Sequence, residues 1–308
     1  MSIRALSEIR KAVSNLNPKT IREFSDRDLN IALYAATSDD YETMEEYLLA
    51  GLTPARRQTG SRGLHRGPNP AGALTYDFSI YHESVLAPRR AFVFRRDKPE
   101  ALVREVLQDH EADLGIALSR AFQPFRDQFV SNVIRRTSRE NAFFSLATAL
   151  PDIVPTIVEL PWAVTEFASD TAVLTMNQIR MAFLIAAASD REVGYRQQKS
   201  EIASVIGSAF GWRALARQVV GKIPFGGGLL PKAGIAYAAT KLVGLSLDRF
   251  YRLGYGYDRQ EREELYTQAF EQGKSVAARI LKSLRPDLWE KFVPKRRAHE
   301  QQFESKPV

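Results

Sequence analysis

The chain has 308 residues, enough for one large domain or two ordinary ones. Its apolar content of 44% and charged content of 26% are those of a globular protein and exclude a wholly disordered one. The absence of cysteine excludes disulfides, thiolate metal sites and cysteine nucleophiles, and is consistent with a cytoplasmic location. The net charge of +7 favours an anionic partner, with an arginine-rich solvated surface as the alternative.

The first third of the chain has the pattern of a small α/β domain. Leu29, Ile31 and Leu33 alternate with other residues in "DLNIALYAAT", as they would in a strand. In chain order we predict a strand in 28–37, an acidic helix ending at Gly51, a loop over 53–73, strands in 75–83 and 89–97, and a helix over 98–110. That last helix would place Leu102, Val103, Val106 and Leu107 on one face.

From residue 114 onward the sequence predicts only helices, over 114–122, 125–150, 170–189, 198–221, 230–253 and 258–284. The helix over 170–189 is apolar nearly all round, which predicts burial. The expected fold class is therefore α+β, with a small N-terminal α/β domain followed by an all-α domain. We expect the α/β region in 1–113, the helical domain in 114–290 and a disordered basic tail in 291–308.

No nucleotide-binding loop of the Gly-x-x-x-x-Gly-Lys-Ser/Thr type occurs in the sequence. Its place would be directly after the first strand, where the sequence is "SDDYETMEEY". Asp39, Asp40 and Glu42 would repel a phosphate at that position. The four histidines do not have metal-type spacing, and no catalytic constellation is recognisable. We therefore predict no catalytic residue, no cofactor and no metal.

A glycine-rich stretch, "GKIPFGGGLLPKAG", interrupts the helical half at 221–234. Its glycines and lysines are in the wrong order for a phosphate loop and no strand precedes them, so we predict the tip of a helical hairpin. Such a tip can contact a membrane or a partner helix, with lysines at its base reaching lipid headgroups. The candidate contact residues are Lys222, Pro224, Phe225, Gly226, Gly227, Gly228 and Lys232.

Small residues at helix-packing spacing flank this stretch. Gly207 and Gly211 form a Gly-x-x-x-Gly pair, and Gly234 with Ala238 continues the small-residue spacing, so we predict close helix contacts at these four positions. Carboxylates at 152–170 lack basic neighbours in sequence and could serve acid–base chemistry, but pairing with arginines in the core is favoured. The candidate buried charges are Asp170, Arg180 and Arg213.

The helical half resembles a known family. The segments "LTMNQIRM", "GWRALARQ" and "AYAATKLVG", with the glycine break between the last two, resemble the GTPase-associated domain of unknown function 697, whose relatives include YcjF-like inner-membrane proteins. The similarity covers about residues 140–255. It implies a helical domain that lies C-terminal to a GTPase domain and is associated with membranes. Because the phosphate loop is missing here, the N-terminal region of this bacterial-type protein is expected to be a degenerate or truncated remnant of a GTPase domain, that is, a pseudo-GTPase. An independently derived small α/β domain is the alternative.

Two functions follow as hypotheses. In the first, the protein is a non-catalytic scaffold or adaptor that docks a GTPase, another protein or the inner face of the membrane through its hairpin. In the second, it binds a nucleotide at a non-standard site, using the arginine-rich residues 56–66 or the carboxylates at 152–170. Nucleic acid is not expected as a partner, because no recognition motif is present. Self-association into a homo-oligomer is left open.

Overall fold

The computed structural model describes residues 16–67, 75–149, 170–206, 228–284 and 286. It has the predicted α+β class, with a four-stranded parallel sheet in the N-terminal half and helices after it. The elements of the first half are α1 (Pro18–Ser25), β1 (Ile31–Tyr34), α2 (Ser38–Leu48), α3 (Pro54–Ser61), β2 (Leu64–Arg66), β3 (Phe78–His82), β4 (Phe92–Phe94) and α4 (Pro99–His110).

The strands lie in the order β2-β1-β3-β4, and every neighbouring pair is parallel. Ile31 and Leu33 of β1 and Ile80 of β3 are fully buried, because helices cover the sheet as in other parallel sheets. The chain leaves β1 towards one edge of the sheet and leaves β3 towards the other. The carboxyl ends of β1 and β3 therefore form a topological switch point, where ligands of open α/β sheets bind.

The predicted loop over 53–73 is wrong in part, because helix α3 and strand β2 lie within it. Pro54 occupies the first turn of α3, where its missing N–H costs no hydrogen bond. Strand β2 has three residues that pair with Ile31, Ala32 and Leu33. Three residues are too few to show an alternating pattern, so the sequence alone does not predict this strand.

The predicted apolar face of α4 is confirmed, since Leu102, Val103, Val106 and Leu107 are all buried. The elements that follow are α5 (Gly115–Ala121), α6 (Gln123–Ala147), α7 (Asp170–Ala188), α8 (Leu229–Leu253) and α9 (Arg259–Leu284). Residues 199–206 are also helical. Helix α8 ends at Gly254, whose φ of 81° is the left-handed conformation of a glycine C-cap.

One hydrophobic cluster runs through both halves of the chain. It joins Ile31 and Ile80 of the sheet to Phe125 of α6, Phe183 of α7 and Leu247 of α8. A second, smaller cluster lies between α6, α8 and α9 and includes Leu146, Tyr237 and Val276. The α/β region and the helices therefore share a core across the predicted boundary at 113/114.

Helix α7 is the buried centre of the helical part, as its sequence predicted. Among the described residues, Thr171–Ala188 is the one stretch long and apolar enough to cross a membrane, and 83% of it is buried within the protein. Its apolar surface is thus covered by other helices of the same chain, chiefly α6, α8 and α5.

Candidate functional site

Polar side chains from three loops meet at the switch point between β1 and β3. Asp39 and Asp40 open α2 just after β1, His82 is the last residue of β3, Ser84 follows two residues later, and Arg96 follows β4. Because the carboxyl ends of parallel strands lie at one edge of a sheet, these residues converge although they span 58 positions of the sequence. We call these five residues the switch-point cluster.

Asp40 is the centre of the switch-point cluster. The hydroxyl of Ser84 donates to Asp40 Oδ2 at 2.8 Å, and His82 Nδ1 lies 2.8 Å from the Ser84 oxygen. The Ser84 backbone N–H donates to the same nitrogen, His82 Nδ1, at 3.2 Å. His82 is buried and its ring stacks on Phe94.

Arg96 closes the cluster from the solvent side. Its Nη2 donates to Asp39 at 2.8 Å and to Asp40 at 3.0 Å, and its Nε lies 3.4 Å from His82 Nε2. The Ser84 hydrogen bond is the main cause that lowers the pKa of Asp40 below its ordinary value, opposed by desolvation and aided by Thr37, His82 and Arg96. Asp40 is therefore a carboxylate held in its ionised form.

The Asp40 carboxylate lies at the amino-terminal end of a helix. Thr37 caps α2 by accepting a hydrogen bond from the Asp40 N–H at 3.2 Å, and both Asp39 and Asp40 are in the first turn. A helix N-terminus after the first strand is where a phosphate binds in many α/β proteins, because free N–H groups and the helix dipole attract an anion. In this chain the protein's own carboxylates lie there.

The switch-point cluster lacks the geometry of a serine nucleophile. Such a serine must give its proton to an imidazole that a carboxylate orients through its other nitrogen. Here the Ser84 hydroxyl donates its hydrogen bond to the Asp40 carboxylate. The same histidine nitrogen, His82 Nδ1, lies close to both Ser84 and Asp40. No group of three or more metal-ligating side chains is found among the described residues either.

The predicted hairpin tip lies mostly outside the described residues, as do Lys222, Pro224, Phe225, Gly226 and Gly227. Gly228 and Lys232 are described, and both are exposed at the start of α8. The Lys232 ammonium donates to the Thr148 hydroxyl at 3.4 Å, next to the end of α6. Leu229 and Leu230 pack against the smaller hydrophobic cluster, which anchors the start of α8.

Of the four predicted close-packing positions, Gly207 and Gly211 lie outside the described residues, whereas Gly234 and Ala238 are buried in α8. Gly234 lies against Gly273 of α9. A Cβ at Gly273 would be only 2.9 Å from the Gly234 carbonyl oxygen, and one at Gly234 would be 3.1 Å from the Phe270 ring. The two helices therefore approach closely at these glycines, and a side chain at Gly273 would force backbone to move.

The expectation that Arg180 is a buried charge is wrong, because Arg180 is exposed, although its neighbours Ile179 and Met181 are fully buried. Burying an ionised guanidinium without full compensation costs several kcal/mol, whereas its long side chain can reach water from a helix surface. Asp170 is the first residue of α7. Arg213 lies outside the described residues.

Two of the arginines named for a non-standard nucleotide site, Arg66 and Arg56, have carboxylate partners within the protein. Arg66 donates two hydrogen bonds to Glu45, at 2.6 and 2.7 Å, and Arg56 forms an ion pair with Asp190. The carboxylates at 152–169 are outside the described residues.

Sequence reasoning missed His82 and Ser84 at the end of β3 and Arg96 after β4, which share no motif. The signal that could have found them is their position, since each lies at or just after the carboxyl end of a parallel strand. Comparison of the chain with protein-family models, with curated proteins and with solved structures finds no match.

Proposed function

We propose that the protein is a non-catalytic scaffold or adaptor, with a pseudo-GTPase-like sheet joined to a helical docking domain. The observation that carries this proposal is the position of Asp40. Its carboxylate lies at the start of α2 and is held by Ser84 and Arg96. A phosphate at the same helix N-terminus would have to displace Arg96 and approach two carboxylates, so electrostatic repulsion opposes nucleotide binding there.

The shared hydrophobic core supports the same proposal. Nucleotide-driven switches move one element relative to another, and such movement needs a loosely held interface. Here fully buried residues of the sheet and of α6 and α7 belong to one cluster, including Leu33, Phe125 and Phe183. The sheet would then act as a rigid base for the helices.

Calorimetric titration of the full chain with GTP, GDP and ATP, with and without Mg²⁺, tests the non-catalytic half of the proposal. We expect no Mg²⁺-dependent binding and no nucleotide hydrolysis. The variants Asp39→Asn and Asp40→Asn are the matched pair, because Asp39 is exposed whereas Asp40 is buried. Mg²⁺-dependent binding that either substitution abolishes would contradict the proposal.

For the docking half, we propose that the hairpin ending at Gly228 contacts an anionic membrane surface at the cytoplasmic side. Residues 171–250 carry ten basic and four acidic side chains, and Lys232 is exposed at the base of the hairpin. Basic residues near a membrane surface each contribute about 1 kcal/mol of attraction to anionic lipid. A GTPase or another protein is the alternative partner, which the family resemblance suggests.

Co-sedimentation with vesicles of anionic or neutral lipid tests this contact. We expect association with anionic vesicles at low salt, weakening at high salt and in the variant Lys232→Glu. Lys282→Glu, at the far end of α9, is a control with the same charge change. A protein that stays entirely in the supernatant at low salt would contradict membrane docking and would favour a protein partner.

A further inference from the structure

A large cleft lies near the amino end of β1, whereas the switch-point cluster lies at the carboxyl ends of the strands. Its volume is about 750 Å³, and it is bounded by the segment that enters β1, by α3 and by α5. That volume is within the range of sites for small organic ligands. One wall is apolar, formed by Leu29, Ala117 and Ala121. We call this cavity the arginine cleft because four arginines line it, namely Arg27, Arg56, Arg62 and Arg120.

The arginines of the cleft have N–H groups to spare. A guanidinium has five N–H donors, arranged in forks that match the oxygens of a phosphate or carboxylate. Among the described residues, Arg27 contacts Asp77 and Arg56 contacts Asp190 through Nη2 only. The side chain of Arg62 makes no hydrogen bond or ion pair with any residue that the structure describes. The cleft therefore presents, at three separate positions, N–H donors that have no partner in the part of the chain that the structure describes.

A buried positive charge lies close to the cleft. Arg126 is one helical turn beyond Phe122, which lines the cleft, and Arg126 is 9% exposed. Its Nε and Nη2, which together form one bidentate edge of the guanidinium, have no hydrogen-bond partner among the described residues. Burial lowers the pKa of Arg126 and repulsion by Arg252 and Arg56 lowers it further, whereas attraction by Asp248 and Asp127 raises it in part. An anion in the cleft would relieve this repulsion.

We propose that the arginine cleft binds a small phosphate-bearing molecule, with its phosphate on Arg56 and Arg62 and its organic part on the apolar wall. Arginine suits this ligand because its planar fork binds two phosphate oxygens at once. The cleft joins the α/β region to the helical part, since Asp190 at the end of α7 pairs with Arg56 of α3 and Arg120 of α5. A ligand on Arg56 would thus act on a contact between the two parts.

This site is independent of the adaptor function proposed above. Its probes are inorganic pyrophosphate and ADP, titrated calorimetrically into the full chain in the presence of EDTA. Arg62→Gln is the main variant, because the Arg62 side chain has no described partner whose loss would disturb the fold. Arg57→Gln is the matched control, because Arg57 is on α3, which ends just before Arg62, but lines a separate groove beside Glu42, Glu45 and Glu46.

We expect pyrophosphate to bind without Mg²⁺, and Arg62→Gln to weaken its binding about tenfold, as the loss of a charge-assisted hydrogen bond does. Arg57→Gln should change the affinity less than about twofold, because it removes the same charge outside the cleft. Tighter binding of ADP than of pyrophosphate would support contact with the apolar wall. The proposal is overturned if neither probe binds, or if Arg57→Gln weakens binding as much as Arg62→Gln does. Asp39→Asn should leave pyrophosphate binding unchanged, which separates this test from that of the switch-point cluster.

Discussion

The Ser84 hydroxyl donates its proton to the Asp40 carboxylate at 2.8 Å, across the switch point of the sheet. This bond joins the loop after β3 to the first turn of α2. His82 contacts the Ser84 hydroxyl, and Arg96 donates to Asp40. These partners hold the Asp40 carboxylate in its place at the carboxyl ends of β1 and β3. The bond therefore supports a structural role for a position that binds ligands in other α/β proteins.

Replacing Ser84 by alanine should destabilise the protein in a pH-dependent way. The bond from Ser84 is the largest cause that holds the pKa of Asp40 below 3.8, so Ser84→Ala should raise that pKa. A lowered carboxyl pKa contributes stability above the unfolded-state pKa, and this contribution is lost as the pH falls through the folded-state pKa. Urea denaturation should therefore separate wild type from Ser84→Ala at pH 7 and bring them closer together at pH 3. An equal difference at both pH values would contradict this assignment.

Replacing Gly273 by alanine should separate α8 from α9. The new Cβ would lie 2.8 Å from Tyr237 Cβ and 2.9 Å from the Gly234 carbonyl oxygen, so backbone must move. Overpacking of this kind costs about 1–3 kcal/mol, more than the helix propensity that alanine gains. Gly256→Ala is the control, since nothing lies within 4 Å of a Cβ there. Denaturant titration should show a loss for the first variant only; equal stability of the two would refute the close crossing.

Thr240 connects three helices through a buried polar network. Its hydroxyl donates to the Ala236 carbonyl at 2.8 Å and accepts from Asn141 at 2.8 Å and Gln178 at 3.1 Å. Thr240→Val keeps the shape but leaves the two amide groups without this acceptor, so we expect a loss of about 1–3 kcal/mol in the free energy of unfolding.

Thr267→Val is the control for Thr240, because its exposed hydroxyl bonds only the Glu263 carbonyl within its own helix. Its unfolding free energy should change by less than about 0.5 kcal/mol. If Thr240→Val changed the free energy of unfolding by as little as Thr267→Val, the hydrogen bonds of the network would not contribute to stability.

Arg126 should be a source of instability in the absence of an anion. Its guanidinium is buried with two nitrogens unpartnered among the described residues, and attraction by Asp248 and Asp127 offsets the cost of burying this charge only in part. We expect Arg126→Met to raise the free energy of unfolding by about 1 kcal/mol or more. Arg139→Met, on the exposed face of the same helix, should be close to neutral. A marked loss of stability in Arg126→Met, measured by denaturant titration, would show that the charge is compensated.

The local sequence determined most of the secondary structure of this protein. Alternating apolar residues predicted β1 and β3, and a short apolar run with charged ends predicted β4. Amphipathic patterns predicted α4 and α9, and a long apolar run predicted α7, to within a few residues. These patterns are readable because each depends on neighbours along the chain. The missing phosphate loop and its replacement by Asp39 and Asp40 were equally visible, since a motif of this kind is contiguous.

Tertiary structure alone decided the rest. Strand β2 is too short to show a period and exists through its pairing with β1. Arg180 reaches water because of how other helices pack around α7, which its own apolar sequence does not show. The switch-point cluster and the arginine cleft join residues from separate loops, so neither leaves a continuous motif. Local periodicity specifies elements, whereas the juxtaposition of loop side chains depends on the order and direction of the strands that carry them.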